Sequence, residues 1–265
     1  MDAAVHAKPW LQSYPAEVPA TINPDAYRSL VHMLEESFKK HARNPWSVCM
    51  DQWMSYAQLD EMSASLGAWL QGLGLAPGAR VALMLPNVPQ FPVTMAAILR
   101  AGYTCVNVNP LYTARELEHQ LKDSGATAIV ILENFAHTLG EVIEHTAVKH
   151  VVVASMGDLL GFLYGMWISF AVRHLAKMVP AYKLPLSAGR TVTTFRRALA
   201  DGTTMKLAPA DVGPDSIAFL QYTGGTTGLS KGAVLTHRNV VAAVLQAEAW
   251  FSPALASVGD ISKIN

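Results

Sequence analysis

Cysteine is scarce, and what there is cannot staple a small fold. Cys49 and Cys105 are the only two thiols in 265 residues. They lie far apart, and Cys105 sits in the apolar run TCVNV, so both read as core residues in a reducing cytoplasm rather than as a disulfide framework. Excess charge is missing as well: 20 Lys and Arg balance 20 Asp and Glu, a formal net charge of zero. A general nucleic-acid binder needs a basic surplus to neutralise backbone phosphates, so no nucleic-acid partner is expected. The opening MDAAVHAKPWLQSYP lacks a basic region followed by an apolar core of signal-peptide length, which points away from export and toward the cytoplasm. The sequence also has no repeat at a fixed period and no low-complexity tract. Histidines such as His119, His137 and His145 show no metal-ligand spacing, for example two at i, i+4 around a glutamate. They read as surface residues. The 11 methionines read as adaptable core filler rather than the lining of a lipid tunnel.

What is abundant is apolar sequence in short, regularly interrupted runs. Hydrophobic residues make up 51% of the chain, enough for a sizeable core in one large or two small domains. Pro24 and Asp25 open an expected helix to about His41, with Leu30, Met33, Leu34 and Phe38 at helical spacing. Ser55 and Gln58 form a capping-box pattern for a helix from Tyr56 to Leu73, stopped at Gly74. Arg80 to Leu85 is an apolar run of strand length, suited to burial on both faces. A helix over Pro89 to Arg100, a strand over Thr104 to Val108, and a helix capped by Thr113 and Glu116 and ending near Asp123 follow. Ala128 to Leu132, His150 to Ala154 and Ser216 to Tyr222 read as further strands. Strands spaced by helical segments predict a layered α/β fold with a mainly parallel sheet.

One segment breaks this rhythm. Leu159 to Val172, LLGFLYGMWISFAV, carries no charge and is followed by Arg173, His174 and Lys177. As a helix it spans about 21 Å at the usual rise, well short of the roughly 30 Å of a bilayer core, so it does not read as a membrane crossing. Two readings stand side by side. One is a helix buried against the sheet; the other makes residues 157–185 a membrane-surface segment, apolar side down and basic end toward lipid head groups.

The most informative stretch is QYTGGTTGLSKGAVLTHRN, residues 221–239. A strand runs straight into Thr223, Gly224, Gly225, Thr226, Thr227 and Gly228. Glycines let backbone approach a ligand with no Cβ in the way, and threonines supply hydroxyl donors. Successive backbone N–H groups can form an anion nest, with Lys231 a mobile cation for phosphate. The pattern is not the common P-loop, because Lys231 is followed by Gly232 rather than Ser or Thr. Nor is it a dinucleotide fingerprint, since Ala233 to Leu235 reads as a second strand and a helix is expected only near Asn239, a good cap residue. His237 and Arg238 either contact a ligand or shape that helix start.

These residues carry a resemblance. Tyr222 to Gly232 is similar to the phosphate-binding signature of the AMP-forming adenylating superfamily, with Ser230 standing where a proline is usual. The opening WLQSYPAEVPATINPDAYRSLVHMLEESF and the run from VALMLPNVPQFPV to ENFAHTL add to it. In order and spacing they resemble bacterial long-chain fatty-acid:CoA ligases over nearly the whole chain. The resemblance implies a partial N-terminal AMP-binding domain over residues 1–265. Its expected reaction takes ATP, fatty acid and coenzyme A through an acyl-adenylate to acyl-CoA, AMP and pyrophosphate.

It further implies that Tyr222, Thr223, Gly224, Gly225, Thr226, Thr227, Gly228, Lys231 and Gly232 hold the ATP phosphates. It leaves room for peripheral contact with the inner membrane face and for a homodimer. The glutamate for Mg2+, and the small C-terminal lid domain with its catalytic lysine, have no counterpart in these 265 residues, so no catalytic or metal residue is identifiable. The chain alone is expected to be inactive and to carry open sheet edges. The alternative expectation is a non-catalytic ATP-binding remnant or interaction partner.

Overall fold

A computed structural model describes residues 8–186, 189–223 and 230–258. Its centre is a seven-stranded sheet made of β3 (Arg80–Met84), β4 (Thr104–Asn107), β5 (Ala128–Leu132), β6 (His150–Ala154), β7 (Thr191–Thr194), β8 (Ile217–Thr223) and β9 (Lys231–Thr236). The order across the sheet is β7-β6-β5-β3-β4-β8-β9. Every neighbouring pair is parallel except β8 and β9, which run antiparallel. The layered, mainly parallel α/β architecture expected from the sequence is therefore present. Two strand features escaped the sequence reading. One is a separate antiparallel hairpin, β1 (Pro45–Cys49) with β2 (Gln52–Ser55), and the other is β7, whose threonine-rich run has no apolar signature.

Period-2 alternation divides the core in two. Val81 and Leu83 of β3 and Val130 of β5 join one apolar cluster with α2 (Tyr56–Gly72) and α3 (Gln90–Arg100). Ala82 and Met84 of β3 and Ile129 and Ile131 of β5 join the other, with α4 (Ala114–Ser124) and α5 (Ala136–Val142). Val81 to Met84 are all 0% exposed. Each large apolar side chain so enclosed contributes about 1.5–3 kcal/mol relative to solvent exposure. Both capping boxes form as expected: Ser55 with Gln58 starts α2, and Thr113 with Glu116 starts α4.

Arg100, at the end of α3, joins three helices. Its guanidinium lies 2.8 Å from the Asp60 carboxylate and 2.8 Å from the Ser63 hydroxyl on α2. It also stands over the Phe38 ring of α1 (Leu30–Lys40), 5.6 Å from the centroid. That first helix begins later than Pro24. The Ser29 hydroxyl caps it by accepting from the His32 N–H, and Asp25 is drawn off to Arg238 instead. The last described helix, α8 (His237–Val258), starts near Asn239 as expected, with Thr236 just before its first residue. The Thr236 hydroxyl accepts from the Asn239 backbone N–H while the Asn239 side-chain Oδ1 accepts from the Thr236 N–H, so Asn239 is the inner half of a reciprocal cap.

Methionines split in a way periodicity did not show. Met33, Met54 and Met84 are buried, and Met62, Met95 and Met156 pack against the core, as filler should. Met50, Met166, Met178 and Met205 are exposed. Cys105 is buried, whereas Cys49 on the small hairpin is half-buried; both are free thiols.

Gly202, the last residue of α7 (Phe195–Gly202), lets that helix touch α2, since a Cβ there would lie 2.0 Å from the Ser65 carbonyl oxygen. Gly202→Ala is expected to cost about 1–3 kcal/mol through overpacking. Urea unfolding reads this directly, and an unchanged midpoint would show that the two helices separate freely.

Candidate functional site

Parallel strands deliver their carboxyl ends to one edge of the sheet, and in open α/β sheets that edge is where ligands bind. Here β8 is the last parallel strand, ending at Thr223, and β9 returns from Lys231, which pairs with Thr223 across the ladder. The two stems of the glycine- and threonine-rich loop are thus held side by side on the carboxyl edge. Thr223 and Lys231 are both exposed there. Gly224, Gly225, Thr226, Thr227 and Gly228 lie outside the described residues.

Tyr222 and Gly232 are turned inward. The Tyr222 ring is buried, and its hydroxyl donates to the Asp123 carboxylate on α4 at 2.5 Å. Burial pushes the phenol well above its ordinary range, and the bond to Asp123 and that carboxylate's charge push it further. A Cβ on Gly232 would come within 3.0 Å of the same ring, so glycine at this position seats the tyrosine. One helical turn before Asp123, His119 Nε2 lies 3.0 Å from the Ser230 carbonyl. A carbonyl only accepts, so Nε2 carries the proton of this bond. Gln120, buried between them in sequence, donates to the Asn107 carbonyl at 2.7 Å, and the Asn107 amide donates to Gln221 at 2.9 Å.

Sequence reasoning missed this support. Its one available signal was His119 and Asp123 four residues apart on a helix that also places Leu117 and Leu121 in the core. The structure likewise corrects the surface assignment of two histidines. His119 is half-buried under the loop stem, and His137 is half-buried with one ring nitrogen at Thr138; only His145 of the three is exposed.

A second cluster occupies the same edge beyond β5 and β6. Glu133 is fully buried and pairs with Arg173, while Asp158 pairs with Arg196 at 3.1 Å. Burial raises the Asp158 carboxyl above the usual range and the Glu133 charge adds to this, against the lowering effects of the Ser155 N–H and Arg196. These pairs hold the two flanks of α6 (Phe162–Phe170): Arg173 ties the following π-helical turn Ala171–Leu175 to Glu133 at the end of β5, and Asp158 ties the preceding segment to Arg196 of α7. The buried-helix reading of this segment is overturned. Phe162 and Leu163 are each 73% exposed and Trp167 is 55% exposed, with Gly165 the one buried residue of α6. Gly165 packs on Gly157 so closely that a Cβ would lie 2.0 Å from the Gly157 carbonyl oxygen, a backbone contact that turns the flanking rings outward. Among the described residues, no group of three His, Cys, Asp or Glu side chains gathers as a metal site.

The fold and its loop-bearing carboxyl edge define a layered α/β domain with a mainly parallel sheet. The family described as AMP-binding enzyme matches residues 34–261, and the chain belongs to that family. It is 51% identical over 249 residues to the long-chain-fatty-acid–CoA ligase of Escherichia coli O157:H7, covering 94% of this chain and 44% of the relative. The ligase of the same name from Yersinia pestis is 48% identical over 255 residues, covering 96% and 44%. The crystal structure of a long-chain-fatty-acid-CoA ligase from Archaeoglobus fulgidus shares the fold, with a TM-score of 0.63 at 24% identity over 89% of this chain and 42% of that one. The chain thus spans less than half the length of the relatives it matches.

His237 stands at a helix start, the second of the two expectations held for it. It is buried as the first residue of α8, where Nδ1 accepts from the Leu30 N–H at 3.2 Å and so docks α1. Arg238 reaches Asp25 on the other side of the same junction. Burial lowers the His237 pKa below its ordinary 6.5. Its neutral form therefore adds stability that is full above about pH 6.5 and declines as pH falls toward the lowered value, where the unfolded chain takes up a proton the folded one refuses. In melts at descending pH, His237→Gln is expected to lose part of this acid sensitivity. An identical pH dependence in the variant would remove His237 as its source.

Proposed function

We propose that this chain is the ATP-phosphate-binding part of an AMP-forming long-chain fatty-acid:CoA ligase. The observation that carries the proposal is the placement of Thr223 and Lys231 as adjacent loop stems on the carboxyl edge, in a chain half identical to ligases of that name. In the proposed reaction a fatty-acid carboxylate attacks the α-phosphorus of ATP, releasing pyrophosphate. The coenzyme A thiol then displaces AMP from the acyl-adenylate. A free carboxylate is a poor acylating agent because its leaving group would be oxide, and adenylation replaces that with AMP. The task is one of positioning two anions and accepting charge that moves onto pyrophosphate.

The loop from Thr223 to Gly228 supplies hydroxyl and backbone N–H donors to the β- and γ-phosphates, with Lys231 as a screening cation. Magnesium belongs to this chemistry by family, but the described side chains form no three-ligand group for it, and no step assigned to this chain runs through it. ATP, fatty acid and coenzyme A are its small-molecule partners.

The 265-residue chain is expected to bind ATP with a Kd on the order of 1 mM and to form no acyl-CoA from ATP, palmitate and coenzyme A. Lys231→Ala should weaken binding only about threefold, since an exposed cation contributes a screened Coulomb attraction. Gly225→Val should weaken it about tenfold or more by putting a branched side chain where backbone must approach phosphate. Calorimetry and a pyrophosphate-release assay check these, and a valine variant that binds ATP normally removes the phosphate-loop assignment. Joining the chain to the remainder of the Escherichia coli relative separates the two functional readings. Acyl-CoA formation assigns the ligase, whereas ATP binding without turnover assigns a non-catalytic module.

A second reading concerns α6, for which the exposed apolar face of Phe162, Leu163 and Trp167 beside Arg173, His174 and Lys177 supports peripheral contact with an anionic membrane. Among the described residues no helix is long and apolar enough to cross a membrane, so the contact proposed is a surface one on the cytoplasmic side. The chain should sediment with vesicles containing phosphatidylglycerol and lose that association when Leu163 and Trp167 are both changed to serine. Equal sedimentation of the double variant would exclude α6 as the contact.

A further inference from the structure

We infer that helix α4 is a clamp on the two stems of the phosphate loop, with Asp123 and His119 as its two jaws; this rests on the loop assignment made under Proposed function. Two separate contacts join the helix to the two stems. Before the loop, the Tyr222 hydroxyl is held by Asp123 at 2.5 Å. After it, the Ser230 carbonyl is held by His119 Nε2 at 3.0 Å. His119 and Asp123 stand one turn apart, so a single rigid surface grips both ends of the crossing from β8 to β9.

The helix can serve as a fixed reference because it is anchored independently of the loop. Thr113 and Glu116 close its first turn, Leu117 and Leu121 are fully buried against the sheet, and Gln120 binds the Asn107 carbonyl at the end of β4. Gly232 belongs to the same device, because a Cβ there would crowd the Tyr222 ring at 3.0 Å. Tyr222 and Gly232 are on this view positioning residues, as are His119 and Asp123, and the phosphates are left to the residues between the stems. The contact at Ser230 has a further meaning. Serine at this position leaves φ free where proline would fix it, and the His119 bond restores from outside the restraint that the residue itself does not provide.

The test uses the 265-residue chain and two readouts. Without nucleotide, amide exchange at Thr223 and Lys231 should rise about fivefold or more in Asp123→Ala, Tyr222→Phe and His119→Ala, while amides of β5 exchange as before. With ATP titrated to millimolar levels, each variant should bind about five- to tenfold more weakly. Asp123→Ala combined with Tyr222→Phe should be no worse than either alone, since both delete one bond. Asp123→Asn, which still accepts the phenol proton, should recover most of the affinity. Thermal melts accompany every variant so that binding is compared among folded chains. Faster exchange with unchanged ATP affinity would reduce the clamp to a structural contact and overturn the inference. Unchanged exchange would overturn it as well. A wild-type chain that binds no ATP fails the loop assignment itself, and the exchange data then show separately whether α4 restrains the stems.

Discussion

Burial of the sheet on both faces is the constraint from which the other features follow. With Val81 to Met84 of β3 wholly enclosed, the alternate side chains of one strand are committed to two different helical layers. A register slip of one residue would exchange the two sets, so the pairing of β3 with β4 and β5 is strongly specified. Parallel pairing then requires crossover helices, and these place α3 and α4 on opposite faces. The carboxyl ends of the strands are what remains open, and the residues of chemical interest collect there.

Placement on an edge does not by itself orient the two strand ends that carry the glycine-rich loop, and these need restraints of their own. The polar side chains around β8 provide them. Partly buried hydrogen bonds tie β8, β4 and the start of β9 to α4: Tyr222 to Asp123, Asn107 to Gln221, Gln120 to the Asn107 carbonyl and His119 to the Ser230 carbonyl. In such surroundings a satisfied polar group is firmly oriented, while an unsatisfied one is costly. Burial, which favours the protonated phenol, and the Asp123 acceptor act in the same direction on Tyr222. Two buried carboxylates with half-exposed partners, Glu133 with Arg173 and Asp158 with Arg196, act in a comparable way at the other end of the edge. They hold an apolar helix against the protein by its charged flank, so the helix can be fixed in place while its rings face outward.

The N-terminal region shows the same economy at a helix junction. His237 stays neutral because it is buried, and as a neutral ring it offers Nδ1 to the first N–H of α1, a donor that a helix start would otherwise leave without a partner. Arg238 and Asp25 close the outer side of this contact. Sequence neighbours of the glycine-rich loop thus carry structural duties set by the packing of a helix more than 200 positions away.

The sequence by itself determined the alternation of strands and helices, the mostly parallel sheet, both capping boxes and the position of the glycine-rich loop. Each is a local or periodic property: runs of five apolar residues such as Ala128–Leu132, Ser55 with Gln58, and Thr113 with Glu116 declare themselves over a few residues. Family membership was legible for a related reason, since motifs keep their order and spacing along the chain. Only the tertiary structure decided what spacing cannot carry. The threonine strand β7 has no apolar pattern and exists because β6 offers it a partner. Local hydropathy marks the 159–172 segment as apolar without saying which side it presents, and the Gly157–Gly165 contact together with two ion pairs turned it outward. Tyr222 and Asp123 are 99 residues apart, and His119 and Ser230 are 111 apart. Hydrogen bonds over such separations leave no trace in a single sequence, because they arise only once the sheet has brought β8 beneath α4.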